Sequence, residues 1–420
     1  MNALALVTRN LLPVIRQRLT EEPVVILTGA RTVGKSTLLQ ACSRAHQVPV
    51  IDLDDLDTRR AVARDPALFA AGSPEPVCLD EFQYVPQMLD AIKAELNRDL
   101  RPGRYLLTGS TRYGTIPGAS QSLAGRAHLM TMWPLSQGEL HGRRETFLEA
   151  LLTDPACLVT PEPSSTSRSG YEETILAGGF PIAVSRPDAS HRDRWYRDFV
   201  NMVIDRDALE IRKVRQRRVL PLVLRHLAAR TASLLNVSDI ARDMQLETRL
   251  VHDFVTLLES VFLVHRLDAF GRTLSSRVGR IPKVHLVDSG LAAYLLGITS
   301  ARLATRNPST LTEFGRVVET FAVNELIKQG GWTAIPVQFT HFRTRDDHEV
   351  DLVAETADGR VAAVEVKASA TVSDRDFRGL RYLRDNLGTD FIGGVLLNLG
   401  QRTYTADKQI QVTPLDRLWS

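Results

Sequence analysis

The sequence predicts an α/β fold: a parallel sheet that carries a phosphate-binding loop, then a helical and winged-helix region, then a second α/β domain. Three observations predict this order. Short apolar runs alternate with helix-like stretches over residues 21–146, a glycine-rich loop follows the first run, and one helix with alternating strands follows residue 310. Buried short strands separated by helices are typical of parallel sheets.

Length and composition fit a globular chain of two or three domains. The 420 residues are 44% hydrophobic with a formal net charge of +3, which excludes a disordered chain, a collagen-like repeat and a globally basic histone-like binder. Three scattered cysteines, Cys42, Cys78 and Cys157, offer neither a disulfide framework nor a metal site, so we expect a cytoplasmic protein. No apolar run reaches about 18 residues, the length that a membrane-spanning helix needs, so we expect no membrane association.

The first residues form an amphipathic pattern and lack the basic start of a secretory leader. Apolar residues recur there at helical spacing, which predicts a helix packed on the first domain. These residues are Leu4, Val7, Leu11, Ile15 and Leu19.

The first apolar strand, Val24–Leu27, leads into a loop of the pattern GxxxxGK[ST], and a helical stretch follows. Backbone N–H groups of such a loop cradle phosphate oxygens, its lysine neutralises the β- and γ-phosphates, and its serine ligates Mg²⁺. The sequence therefore predicts that ATP and Mg²⁺ bind here. The predicted cofactor-binding residues are Gly29, Ala30, Arg31, Thr32, Val33, Gly34, Lys35, Ser36 and Thr37.

Two further strands deliver polar residues to the same edge of the sheet. Strand 77–79 ends in Asp80 and Glu81, and strand 105–107 is followed by Ser110. We expect Asp80 to hold Mg²⁺ with Ser36 and Glu81 to orient the attacking water. Ser110 is predicted between the two carboxylates and the γ-phosphate. A kinase of small molecules would not need Glu81, so the pair favours ATP hydrolysis.

These segments, with others further along, resemble prokaryotic AAA+-type ATPases of the AAA_14/DUF4143 family over residues 20 to 400. The matching stretches are GARTVGKST, LDE, LLTGS, SLAGRAHLMTMWPLSQGEL, GGFP and YRDFVNMVIDRD. The resemblance implies that Arg126, in LAGR, is an arginine finger that a neighbouring subunit supplies, and hence a homo-oligomer. The sequence departs from the family at Thr32, where glutamine is common; this bears on loop details. The AAA+-like domain is predicted over 1–150.

The middle of the chain predicts a helical lid over 151–212, with an exposed Pro/Ser-rich loop at 153–170, and a winged helix-turn-helix over 213–300. Residues Arg249, His252 and Thr256 are expected to face outward from its third helix. Such a helix docks in the DNA major groove, although Asp253 would repel phosphate, and winged helices also contact proteins.

Charge is unevenly distributed. Residues 192–283 hold 18 Lys and Arg against 11 Asp and Glu, whereas residues 310–420 hold 13 against 16. A basic run contributes Arg212, Lys213, Arg215, Arg217 and Arg218, either as phosphate contacts or as a solvated helix face.

The last region, 301–420, predicts a helix carrying Glu319, a strand carrying Asp351, and a strand carrying Glu365 and Lys367. A turn near 358–359 would bring Asp351 beside Glu365. The pattern looks like the PD-(D/E)XK nuclease core, in which carboxylates hold Mg²⁺ or Mn²⁺ and lysine helps to activate water. Glu319, Asp351 and Glu365 are thus candidate metal ligands, and Lys367 a candidate catalytic residue.

Together these features predict a Mg²⁺-dependent ATPase that acts on DNA, including branched DNA, with metal-dependent cleavage as a further possibility. The alternative is an ATP-operated switch or scaffold whose nuclease-like domain only binds nucleic acid or protein, because such folds persist without chemistry.

Overall fold

The computed structural model describes residues 7–115, 123–208, 217–272 and 280–420. The described residues fall into two compact units, the first within Met1–Leu135, Phe199–Arg217 and Thr256–Leu263, the second within Ser136–Asp198, Arg218–Val255 and Val264–Ser420. Leu4 of the predicted first helix, and Arg212, Lys213 and Arg215 of the basic run, lie outside the described residues. The domain borders predicted from the sequence stay a prediction.

A five-stranded parallel sheet organises the first unit. The strands are β1 (Val24–Thr28), β2 (Val50–Asp52), β3 (Val77–Asp80), β4 (Tyr105–Gly109) and β5 (Ala127–Thr131). Their order is β2-β3-β4-β1-β5, so β1 lies between β4 and β5. The predicted apolar runs coincide with β1 to β4, and the fully buried burial patterns of β1, β3 and β4 explain why these runs lack alternation.

Helices connect these strands and cover the sheet. They are α1 (Leu11–Glu21), α2 (Lys35–His46), α3 (Leu56–Arg64), α4 (Pro66–Gly72) and α5 (Gln87–Leu96). The first helix buries Leu11, Ile15 and Leu19, as its spacing predicts. Asp55 begins α3 by accepting from the backbone N–H of Thr58, a typical N-terminal cap.

Apolar side chains from β1, β3 and β4 pack with those of α5 in one core that includes Ile26, Leu79, Leu107 and Ile92. Its fully buried residues fix the carboxyl ends of the strands, where the polar residues of the candidate site follow.

Short helices and a small sheet fill the middle of the chain. The helices are α6 (Gln137–Leu140), α7 (Phe147–Thr153), α8 (Arg168–Ala177), α9 (Pro181–Val184), α10 (Ala189–Met202), α11 (Leu220–Ala229), α12 (Val237–Met244) and α13 (Thr248–Ser260). The antiparallel sheet, in the order β6-β8-β7, consists of β6 (Ser233–Leu234), β7 (Val264–Leu267) and β8 (Lys283–Leu286). On α13, Arg249, His252 and Thr256 are exposed, as expected.

The C-terminal region holds a six-stranded mixed sheet in the order β13-β14-β12-β11-β10-β9. Its strands are β9 (Val337–Arg343), β10 (Glu349–Thr356), β11 (Val361–Lys367), β12 (Phe391–Asn398), β13 (Tyr404–Asp407) and β14 (Ile410–Pro414). The helices of this region are α14 (Ser289–Leu296), α15 (Ser300–Ala304), α16 (Pro308–Gly330) and α17 (Arg378–Leu387). An N-terminal parallel sheet, a helical middle and a C-terminal sheet confirm the predicted fold class.

Short 3₁₀ and π-helical turns complete the described chain. They are the 3₁₀ turns Phe82–Tyr84, Tyr113–Thr115, Pro155–Leu158, Arg217–Val219, Asp374–Phe377, Gly388–Asp390 and Leu415–Leu418, and the π-helical turn Val203–Ala208. Within the described ranges, no helix has the length and apolar character that crossing a bilayer requires.

Candidate functional site

The phosphate-binding loop joins the end of β1 to the start of α2. Gly29 is required by packing, since a Cβ there would lie 2.2 Å from the carbonyl oxygen of Met132 after β5. Gly34 has φ +101°, a conformation that favours glycine, and directly precedes α2. Thr32 also has positive φ, at 62°. The loop therefore has the sharp, closely packed course that phosphate binding needs.

Basic side chains bind the carbonyl groups of this loop. Lys35 is buried, and its Nζ donates to the carbonyl oxygens of Gly29 (2.9 Å) and Ala30 (2.8 Å). Arg9 donates to the carbonyl oxygens of Val33 and Trp133, both at 2.8 Å. Arg9 thereby ties the loop to the segment after β5, a role that no motif in the sequence indicates.

The remaining loop residues take different environments. Arg31 donates to the Tyr84 hydroxyl group at 2.8 Å, Val33 is buried, and Ser36 and Thr37 are exposed at the start of α2. The exposed hydroxyl group of Ser36 is thus presented at the helix N-terminus, where anions such as phosphate bind favourably.

Asp80, at the end of β3, is buried beside hydroxyl groups. It accepts hydrogen bonds from Thr108 and Ser36, and burial raises the pKa of Asp80 against the effect of these donors. A carboxylate and a hydroxyl group side by side are oxygen ligands that Mg²⁺ prefers. The arrangement of Ser36 and Asp80 therefore fits the predicted magnesium ion.

Glu81 is buried and held by three donors. Its Oε2 accepts from the Ser110 hydroxyl (2.9 Å), the Ser110 backbone N–H (3.2 Å) and the Gln83 amide. Burial raises the pKa of Glu81, but Lys35, Gln83 and Arg31 outweigh burial, so the pKa lies below its usual value. Glu81 is therefore an ionised, oriented carboxylate, as water activation requires.

Ser110 and Thr108 divide the role that the sequence assigned to Ser110 alone. Ser110 binds Glu81, whereas Thr108 is the β4 residue that binds Asp80. Gln83 donates to both Glu81 and Ser110, the latter at 3.0 Å. Sequence reasoning missed Gln83, and its position two residues after Glu81 is the one signal that could have found it.

Arg126 lies at the opposite edge of the sheet from the phosphate loop. Its neighbour Ala127 pairs with Val24, at the start of β1, whereas the loop follows the end of β1 about 13 Å further along the strand. Arg126 donates to the Asn97 side chain at 2.7 Å, at the end of α5. In its own chain Arg126 is therefore far from the phosphate-binding loop, so an arginine-finger role requires a second chain.

The four predicted residues of the C-terminal site do come together, but around a lysine. Lys283 of β8 is buried, and its Nζ lies 2.7 Å from Glu319 Oε1, 2.8 Å from Glu349 Oε1 and 2.9 Å from Asp351 Oδ1. The register that pairs Leu352 with Val364 sets Asp351 beside the neighbouring strand, where its Oδ2 accepts from the Val366 N–H at 2.9 Å.

Glu365 and Lys367 form a second ion pair in this cluster, with Nζ and Oε1 2.7 Å apart. Burial, followed by the Asp351 charge, raises the pKa of Glu365 to about 8. Burial and Asp351 likewise raise the pKa of Glu319, whereas Lys283 and Lys367 hold that of Asp351 below its usual value despite burial. The cluster thus offsets its carboxylate charges with the ammonium groups of Lys283 and Lys367.

This arrangement does not fit the metal predicted for Glu319, Asp351 and Glu365. In the part of the chain that the structure describes, no three His, Cys, Asp or Glu side chains are arranged to hold a metal ion. The physical reason is Lys283, whose ammonium group occupies the point where the carboxylates converge. Sequence reasoning missed Lys283 because it lies on another strand, 36 residues before Glu319.

A basic and aromatic groove of about 970 Å³ lies beside β9 and α17. Its aromatic wall continues from Phe270 to Phe342 and Tyr382, with ring centroids 6.4 and 5.7 Å apart. The arginines that line it are Arg272, Arg280, Arg343 and Arg345. No Asp or Glu is among its described lining residues, but two of these arginines pair with nearby carboxylates, Arg272 with Asp390 and Arg343 with Asp347 and Glu349. The groove thus places guanidinium groups beside flat rings.

Three family models match the chain in succession. Residues 21–141 match AAA_14, described as an AAA domain. Residues 168–302 match DUF8612 and residues 314–418 match DUF4143, both described as domains of unknown function. The resemblance stated from the sequence motifs is thereby confirmed.

Two curated relatives are uncharacterized proteins of Mycobacterium bovis and Mycobacterium tuberculosis. Each is 24% identical over 360 residues, which cover 86% of this chain and 73% of the relative. A solved structure of a signal transduction ATPase with numerous domains, with a tetratricopeptide repeat sensor, from Pyrococcus horikoshii matches at 12% identity and a TM-score of 0.25. That match covers 76% of this chain and about half, 49%, of the archaeal one.

Proposed function

We propose that this chain, in which residues 21–141 match an AAA domain and residues 314–418 match DUF4143, hydrolyses ATP with Mg²⁺ as the switch of a nucleic-acid-binding protein. One observation carries the ATPase part: Lys35, Ser36, Asp80 and Glu81 converge at the carboxyl edge of one parallel sheet.

Each of these residues has a role that its contacts support. Lys35 lies over the loop in reach of phosphate oxygens, and Ser36 with Asp80 supplies the ligands of Mg²⁺. Glu81, ionised and held by Ser110 and Gln83, accepts the proton of the attacking water or orients that water. The bound metal ion neutralises charge that develops on the phosphate oxygens.

Release of phosphate from ATP tests this proposal directly. Purified protein with Mg²⁺ is expected to hydrolyse ATP, and Lys35→Ala is expected to lose nucleotide binding. A matched control is Lys408→Ala, since Lys408 is an exposed lysine of the other unit. Hydrolysis that survives Lys35→Ala would contradict the assignment.

The nucleic-acid part of the proposal is supported by the groove beside β9. Single strands bind where a basic channel tracks the backbone and aromatic rings stack on bases. Arg280 and Arg343 supply charge there, and Tyr382 supplies a ring. The exposed Arg249 and His252 on α13 offer a second, duplex-binding surface.

Fluorescence anisotropy with single-stranded, duplex and branched DNA tests the partner. Tyr382→Ala and Arg343→Gln are expected to weaken single-strand binding, and Arg249→Gln duplex binding, while the exposed Arg402→Gln control leaves both unchanged. If none of the groove and helix variants changes the affinity for DNA, or if the protein does not bind DNA, the result would favour a protein partner and the scaffold alternative.

We also propose that the working form is a homo-oligomer, because Arg126 could act as an arginine finger only at the phosphate-binding loop of another chain. Metal-dependent DNA cleavage, the finer expectation from the sequence, is disfavoured by the ammonium group of Lys283 among its carboxylates.

A further inference from the structure

A buried ammonium group lies at the centre of the C-terminal carboxylate cluster. Lys283 has a side chain that is 1% exposed, and its Nζ is 2.7–2.9 Å from one oxygen each of Glu319, Glu349 and Asp351. An ammonium group has three N–H donors, so these three acceptors match its full capacity. The site is therefore built for this cation in number and in distance.

Backbone contacts hold the strand that carries Lys283 in place. Lys283 pairs with Leu267 of β7 and with Leu234 of β6. Just before it, the carbonyl oxygen of Ile281 lies 3.1 Å from the Nε2 atom of His341 on β9. These contacts fix the backbone at Lys283, so its side chain extends into the cluster from a strand that is held in place.

Three of the remaining carboxylate oxygens are also engaged. Asp351 Oδ2 accepts from the Val366 N–H, Glu349 Oε2 faces Arg343, and Glu365 Oε1 binds Lys367. Glu365 Oε2 is buried without a hydrogen-bond partner among the described residues. A divalent ion could bind that oxygen together with Glu319 and Asp351 only after displacing Lys283, because those two carboxylates already bind the ammonium group.

We propose that Lys283 is the resident cation of this site, and that its ammonium group takes the place a divalent metal ion holds in a cleaving nuclease. An ammonium group satisfies the carboxylates but cannot coordinate water and lower its pKa as a metal ion does. The domain then keeps the nuclease-like carboxylate pattern and, if it binds nucleic acid as proposed above, does so without cleaving it. This inference is independent of ATP hydrolysis.

Manganese binding in the absence of nucleotide tests the inference on the full chain. Electron paramagnetic resonance of free Mn²⁺ is expected to give the same titration for wild type and for Asp351→Asn. Lys283→Ala is expected to gain one bound Mn²⁺ per chain, and the double variant with Asp351→Asn to lose it. Lys408→Ala, which removes an exposed lysine, is the matched control and is expected to gain none.

Either of two results would overturn the inference. One is Mn²⁺ binding by wild type that Asp351→Asn abolishes, which would make the site a working metal site. The other is a folded Lys283→Ala or Lys283→Gln protein, checked by circular dichroism, that gains no Mn²⁺. The comparison of wild type with Asp351→Asn decides the first of these results even where a Lys283 variant does not fold. Glu319→Gln serves as a second carboxylate variant in that comparison.

Discussion

At the scale of single residues, the candidate ATPase site is a set of buried polar groups with assigned partners. Glu81 has three donors to one oxygen, and Asp80 has two hydroxyl donors. A buried polar group that loses its hydrogen-bond partner lowers the free energy of unfolding. Each substitution here therefore has a distinct expected effect.

Glu81→Gln keeps the shape of the side chain but removes the charge that activates water. We expect ATP to bind as in wild type and hydrolysis to fall by roughly 10² or more, the usual scale for loss of a general base. Phosphate release and nucleotide binding measured side by side check this. Asp57→Asn, on the exposed face of α3, serves as the carboxylate control, and equal turnover by Glu81→Gln would remove the assignment.

Gln83→Ala removes the amide that binds both Glu81 and Ser110. We expect a fall in kcat smaller than that of Glu81→Gln, with KM for ATP little changed, because Gln83 orients the glutamate without contacting the phosphates. Steady-state kinetics would measure the two constants. A change in KM alone would show that Gln83 acts in binding instead.

At the scale of elements, the phosphate loop and the end of β5 are packed backbone to backbone. Gly29→Ala would force a Cβ to within 2.2 Å of the Met132 carbonyl oxygen, so loop and strand must move apart. We expect a loss of about 1–3 kcal/mol in the free energy of unfolding, with weaker ATP binding. Urea unfolding measures the first. Gly114→Ala, where a Cβ meets nothing within 4 Å, is expected to be neutral.

Strand β9 carries a histidine, His341, that is neutral in the folded protein at pH 7. Burial, with the Lys283 charge, lowers the pKa of His341 to about 4. The unfolded side chain titrates near 6.5, so between these two values the unfolded state binds a proton that the folded state does not. The free energy of unfolding therefore decreases as the pH is lowered through this range. We expect a smaller free energy of unfolding at about pH 5 than at about pH 7.5. His341→Gln should shrink that difference, whereas the exposed His46→Gln should preserve it.

Local patterns predicted the elements well and the pairings across them poorly. Strands β1, β3 and β4 follow from short apolar runs, and the phosphate loop follows from a motif whose contacts are local. The expectation of a metal site considered Glu319, Asp351 and Glu365 without Lys283, which no spacing rule connects to them. Tertiary contacts of this kind become visible only when strand order is known.

At the scale of the whole molecule, the position of Arg126 makes assembly testable. Activity per chain is expected to rise with protein concentration if a second chain supplies the arginine. Mixing Arg126→Ala with Glu81→Gln protein is expected to recover activity at interfaces that combine an intact Glu81 with an intact Arg126. Turnover independent of concentration, with no recovery on mixing, would instead make Arg126 a structural partner of Asn97.

The contacts of Arg9 have a practical consequence for dissecting the protein. The stretch that matches the AAA family begins at residue 21, yet the carbonyl group of Val33 in the phosphate loop is bound by an arginine 12 residues upstream of that point. A fragment trimmed to the family border would therefore lose both this hydrogen bond and α1. We therefore expect that fragments meant to retain ATP binding need to begin ahead of Arg9.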